Sequence, residues 1–153
     1  SIAARADREL RLEHGRLAER PEADGAAQHE RVAFLVDLWR ALQEDSVAIS
    51  VARRGVATAL AEGLLAYLDG RLAFTERGHA LAAQAVRRQR LSESLRARVL
   101  EKTTEEACGR ATPLVPSLVE EVAAFLEQPT RCPHGRPIPP ATAVAAAMTG
   151  AAS

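Results

Sequence analysis

The sequence predicts a mainly α fold in which one β-hairpin interrupts a series of amphipathic helices. Three observations predict it. Apolar residues reach 47% of the 153 residues while aromatics are only 3%, so the core must be assembled from Leu, Val and Ala, which suit closely crossing helices. Apolar positions recur at helical spacing over most of the chain. Against that background, two short alternating segments flank Asp69-Gly70, a dipeptide that supplies the positive φ angles of a type I′ hairpin turn.

Each element follows in order. In "SIAARADRELRLEHGRLAER", Ile2, Leu10 and Leu17 recur at helical spacing with charges between them, giving a first helix. Pro21 and Gly25 in "PEADGAAQ" break it into a short linker. "HERVAFLVDLWRALQED" is a second helix, whose Val32, Leu35, Val36, Trp39 and Leu42 make a face wide enough to bury. Ser46 or Ser50 can cap the next, "VARRGVATALAEG". Leu64–Leu68 and Arg71–Thr75 are the hairpin strands. Thr75 then precedes "ERGHALAAQAVRRQRLSESLRARVL", a long amphipathic helix. Further on, Ser117 and Glu120 have the spacing of a capping box before "LVEEVAAFLEQ". "PTRCPHGRPIPP" contains five prolines and reads as a semi-rigid strap, and "ATAVAAAMTGAAS" as a frayed tail.

Helix, helix, a "Glu-Gly-Leu-Leu" exit, a hairpin and "Thr-x-x-Gly" is the order of a winged helix-turn-helix. The charge distribution is compatible. Residues 1–45 carry seven basic and ten acidic side chains, residues 46–100 nine and four, and residues 101–153 four and six. A basic middle in a chain of zero net charge suits a polyanion partner, although a solvated helical face gives the same pattern. In the winged-helix reading Ser50, Arg53, Arg54 and Thr58 face the major groove, and Arg71 and Arg77 meet phosphates. Gly55 is unfavourable inside such a helix by about 1 kcal/mol.

Two cysteines, Cys108 and Cys132, make no disulfide framework, and a reducing cytoplasm is expected. No apolar run approaches membrane-spanning length, so no membrane partner is expected. Enzyme chemistry is not expected either: no Gly-rich phosphate loop, Gly-x-Ser-x-Gly elbow or supported Cys-His pair occurs. Glu105-Glu106 and Glu120-Glu121 point to different sides of a helix and read as solvated faces.

Three motifs lie beyond the hairpin: Glu106-Ala107-Cys108, Val119-Glu120-Glu121, and the run Gln128-Pro129-Thr130-Arg131-Cys132-Pro133-His134-Gly135-Arg136-Pro137-Ile138-Pro139. With Arg87-Arg88-Gln89-Arg90-Leu91-Ser92-Glu93 and Thr75-Glu76-Arg77-Gly78, they make the chain resemble the diphtheria-toxin-repressor (DtxR/MntR) family of iron- and manganese-dependent transcription regulators. Agreement runs from Glu62 to Pro139, and before that it rests on element order. The resemblance implies a homodimer that binds a palindromic operator in double-stranded DNA. It also implies a DNA-binding domain over residues 1–78, a helical dimerisation domain over 79–140 and a flexible tail over 141–153.

In the family Fe²⁺ or Mn²⁺ docks the N-terminal helix on the dimerisation domain. The first family site falls here on Gln89, Glu93 and Thr104, and the second on Cys108, Ala111 and Thr112, with Pro113 ending the helix. Only Glu93 and Cys108 are ordinary ligands, one per site, too few to offset dehydration of the ion. No cofactor is therefore expected, with Mn or Fe bound only if these degenerate positions still hold an ion. An altered site around Glu93, Cys108 and Asp7, Glu9 or Glu13 remains an alternative. Cys132 and His134 read as part of a rigid turn, Cys108 as a small buried hydrophobe, and His29 and His79 as surface residues. The leading expectation is thus a DNA-binding regulator without a metal response. Its rival is a protein-interaction module, a relative deficient in both DNA and metal binding that pairs with another protein.

Overall fold

A computed structural model describes residues 25–44, 53–100, 103 and 111–143. The chain divides into two compact units, Ser1–Arg31 and Val32–Ser153. The first described helix, α1, covers residues 25–43. Gly25–Gln28, read from the sequence as part of a linker, are helical here. The expected helix over residues 1–20 and the caps at Ser46 and Ser50 lie outside the described residues.

Helix α2, Arg53–Ala61, ends at Gly63, whose φ of 73° lets the chain turn out of the helix. Strands β1 (Leu65–Leu68) and β2 (Arg71–Phe74) pair antiparallel, Leu65 opposite Phe74 and Leu68 opposite Arg71. Asp69 and Gly70 at the tip have φ of 49° and 74°, the two positive values that a type I′ turn demands. Thr75 then starts α3, Glu76–Leu100. Its Oγ1 accepts the Gly78 N–H at 3.0 Å, an N-cap, and donates to Gly63 O at 2.6 Å. One hydroxyl thus fixes the helix start to the end of α2.

The first core gathers Val32, Leu35 and Leu38 of α1, Ala59 of α2, Leu64, Leu65, and Ala82 and Ala85 of α3. Glycine permits the close approaches here. A Cβ at Gly78 would overlap the carbonyl of Leu64, and one at Gly55 the ring of Phe34. Gly55 therefore lets α2 lie against α1, which compensates its poor helix propensity. His79 is half-buried, not a surface residue: its ring lies 5.0 Å from Trp39 and edge-on to Phe74.

Beyond Val86, α3 serves a second core of Leu91, Val119, Ala123, Leu126, Cys132 and Ile138. Residues 111–115 run without helix into a 3₁₀ turn, Pro116–Leu118, and then α4, Val119–Phe125. The capping box is not formed, since the 3₁₀ turn displaces the helix start and no side chain caps it; Glu120 bonds to Arg87 instead. The architecture is mainly α, with a hairpin wing followed by a helical domain. Among the described residues no helix is long and apolar enough to cross a membrane.

Candidate functional site

The strap is built as a small hairpin. Arg131 and Pro137 form a β-bridge, Cys132 N donates to Arg136 O and Ile138 N to Thr130 O, both at 2.9 Å. Gly135, φ 78°, closes the turn by donating to Cys132 O at 2.8 Å. Prolines at 133 and 137 fix φ and need no amide partner, so the sequence suits a stiff loop rather than a ladder.

α3 holds this hairpin along one stripe. Arg87, Arg90 and Glu93 recur every third residue and so follow one stripe that winds about the helix. Arg87 Nη1 donates to Pro139 O at 3.1 Å while its other nitrogens meet the Glu120 carboxylate at 3.2–3.3 Å. Arg90 Nη1 donates to Pro137 O, and its Nη2 pairs with Glu44 at 2.6 Å. Both guanidiniums are buried, and each has a carboxylate and a carbonyl to offset its desolvation. Desolvation lowers the pKa of the half-buried Arg88, whose Nε donates to Leu114 O at 2.6 Å.

One turn on, Glu93 meets the tip of the strap. A carboxylate oxygen of Glu93, Cys132 Sγ and a ring nitrogen of His134 lie within 4.8 Å of one another. Cys132 is buried, Glu93 half-buried and His134 exposed. Gln89 Nε2 orients the carboxylate, donating to Glu93 at 3.2 Å while also bonded to Ala111 O. A carboxylate, a thiol and an imidazole thus converge from two elements, a combination that could hold a divalent ion.

Comparisons with known proteins cover the same part of the chain. The profile described as "Iron dependent repressor, metal binding and dimerisation domain" matches residues 75–140. A manganese-dependent transcriptional repressor, solved in complex with manganese, is similar with a TM-score of 0.58 and 26% identity over 72% of this chain and 58% of that one. Over residues 75–140 the chain is thus similar to the metal-binding and dimerisation domain of iron-dependent repressors. The manganese regulator SloR shares the fold, with a TM-score of 0.53 and 23% identity over 76% and 58% of the two chains. The chain therefore spans 58% of the length of each of these relatives. No curated protein sequence matches it.

Of the DtxR-family ligand positions singled out by resemblance, Gln89 and Glu93 adjoin on α3. Ala111 and Thr112 sit on the extended segment, where their carbonyls accept hydrogen bonds from Gln89 and Ser92. Thr104 and Cys108 lie outside the described residues, as does the alternative set with Asp7, Glu9 or Glu13. The partners that the structure brings to Glu93 are Cys132 and His134, which sequence spacing assigned only to a turn. The available signal was the i, i+2 Cys-His pair on a stiff loop; what it lacked was the pairing partner 39 positions earlier in the sequence.

Of the residues expected to meet DNA, Thr58 is exposed on α2, and Arg71 is exposed at the start of β2. Arg77 is exposed and donates one N–H to Glu62 O at 3.0 Å. Ser50 and the side chains of Arg53 and Arg54 lie outside the described residues.

Proposed function

We propose that the chain is a DtxR-like DNA-binding transcriptional regulator that acts as a homodimer and holds one divalent ion at Glu93, Cys132 and His134. The observation that carries this reading is the convergence of those three donors on the helix that also packs the wing. The donor set fits: mixed O, S and N ligands suit Fe²⁺ or Zn²⁺ and disfavour Mg²⁺ or Ca²⁺. The exposed His134 leaves coordination positions open to solvent. A bound ion would supply a cross-link between the strap and α3. The expectation of a lost metal response rests on Gln89, Thr104, Ala111 and Thr112, and does not weigh Glu93 together with the strap.

In this reading residues 1–78 form the reading head, 79–140 the dimerisation domain and 141–153 a tail. Ser50, Arg53, Arg54 and Thr58 read a palindromic operator, while Arg71 and Arg77 neutralise phosphates. Dimerisation is supported by the exposed apolar side chains of Val99, Leu100, Val115, Leu118 and Phe125 in the second half of the chain.

The test is a pull-down of sheared genomic DNA from the source organism, run anaerobically with chelator and again with Fe²⁺ or Mn²⁺. One enriched sequence, with enrichment raised by metal and that increment lost in Cys132→Ser, is the expected result. Equal enrichment in both conditions would remove the ion from the proposal and keep the regulator. Arg53→Ala should weaken binding by about 1–3 kcal/mol and relax base preference, measured by titration of operator variants. The reading of a protein-interaction module has one observation in its favour: Tyr67 and Leu68 beside the wing tip are each 67% exposed and apolar. It is selected if no DNA is enriched in either condition and no salt-dependent DNA affinity appears.

A further inference from the structure

The two buried arginines of α3 hold the same strap but answer to different counter-charges. Arg87 pairs with Glu120 of α4, inside the domain that also carries the strap. Arg90 pairs with Glu44, immediately after α1. We infer that Arg90 is the coupling residue between strap and first helix, one guanidinium nitrogen on Pro137 O and another on the Glu44 carboxylate. This inference rests on the proposed ion site for its regulatory meaning.

The geometry gives the reasoning. Along the stripe of α3 the order is Arg87 to Pro139, Arg90 to Pro137, Glu93 to Cys132 and His134, so the strap runs antiparallel to the helix. Ion ligands sit at the tip of the hairpin and Pro137 at its base, joined by the bridge to Arg131 and two backbone bonds. Such a hairpin shifts as a body when its tip is drawn to Glu93. Arg90 is only 3% exposed and cannot exchange a lost carbonyl for water. A shift of Pro137 O must therefore move the guanidinium plane, and with it the Glu44 carboxylate, 21% exposed, and the last turn of α1, where Glu44 N donates to Arg40 O at 3.2 Å. The fork is planar, so its two ends cannot move independently. Glu120, 63% exposed, is in contrast largely solvated and transmits nothing to α1.

The experiment is hydrogen exchange by mass spectrometry on the full chain, with and without Zn²⁺, in the wild type, Glu44→Gln and Glu120→Gln. Zn²⁺ should slow exchange across residues 130–138 in all three, with affinity unchanged within about threefold. It should slow exchange at residues 40–44 by about fivefold or more in the wild type and in Glu120→Gln, and not in Glu44→Gln. Slowing at 40–44 that survives Glu44→Gln, or is lost equally in Glu120→Gln, overturns the coupling. A second arm needs no ion. In metal-free protein, Glu44→Gln should quicken exchange across 130–138 by about fivefold, since Arg90 loses its anchor. An unchanged rate overturns the coupling by itself. Failure of Zn²⁺ to slow the strap in the wild type, with the metal-free arm positive, would remove the ion site and leave the coupling standing.

Discussion

The two ends of α3 are held by different physics. Its first half, from Gly78 to Ala85, enters a core of Leu, Val and Ala in which contact distance is everything, and glycines set that distance. Its second half, from Arg87 to Leu95, enters a core whose polar edge is made of arginines donating to carbonyls on the strap and the extended segment. The first half tolerates no added atom; the second tolerates no lost donor. That difference ranks the substitutions that follow.

Gly78→Ala has the largest expected effect. The new methyl would fall on the Leu64 carbonyl, a backbone group that also accepts from Thr75 N at 3.1 Å and cannot rotate away. The helix start must lift off the wing, at a cost of about 3 kcal/mol or more. Urea unfolding of the purified variant measures it; a loss under about 1 kcal/mol would mean that the approach is looser than described.

Arg90→Ala comes next. It leaves the Glu44 carboxylate partly buried without its cation and Pro137 O without its donor, and should cost about 3 kcal/mol. Arg87→Ala should cost less, because Glu120 is exposed enough to rehydrate. Equal losses by chemical denaturation would show that burial of the arginine stem, not the pairing, dominates both sites.

How far these halves were legible in the sequence follows from the same contrast. The wing was, because Asp69-Gly70 encodes its turn chemistry locally, and so was α3, whose apolar stripe is periodic over 25 residues. The Leu and Val side chains of the first core were visible as faces on α1. The strap contacts were not. A backbone carbonyl has no sequence signature, so nothing in Arg87 or Arg90 announces that Pro139 and Pro137 will receive them. The cluster of Glu93, Cys132 and His134 was hidden for a related reason: one member lies on α3 and the other two on the strap, far apart in sequence. His79 was misplaced because a lone histidine between charged and small residues carries no periodic signal, and only the folded wing supplies Trp39 and Phe74 as neighbours.

Gly55→Ala is a smaller effect of the first kind. Alanine gains about 1 kcal/mol of helix propensity, but its methyl meets the ring of Phe34. The ring is a side chain that can yield, so the net cost should be about 1 kcal/mol. In a Phe34→Leu background the sign should reverse, because the obstruction is gone and the propensity gain remains. A double-mutant cycle by thermal unfolding reads the coupling directly. Additive effects would mean that α1 does not set the closeness of α2.

The smallest effect is expected where sequence chemistry pointed to a cap and the fold did not use it. Ser117 lies in the 3₁₀ turn Pro116–Leu118, and no side chain caps α4. A working N-cap serine is worth about 1 kcal/mol, so Ser117→Ala should change stability by less than about 0.5 kcal/mol. The reason is again the second half's dependence on arginine: Glu120, the other member of the would-be box, faces Arg87 rather than the helix start. Glu120→Ala should consequently cost more than Ser117→Ala although both residues belong to one motif. If the two losses proved equal and near 1 kcal/mol, the capping box would be formed in solution and the Arg87 pair would be the weaker competitor for Glu120.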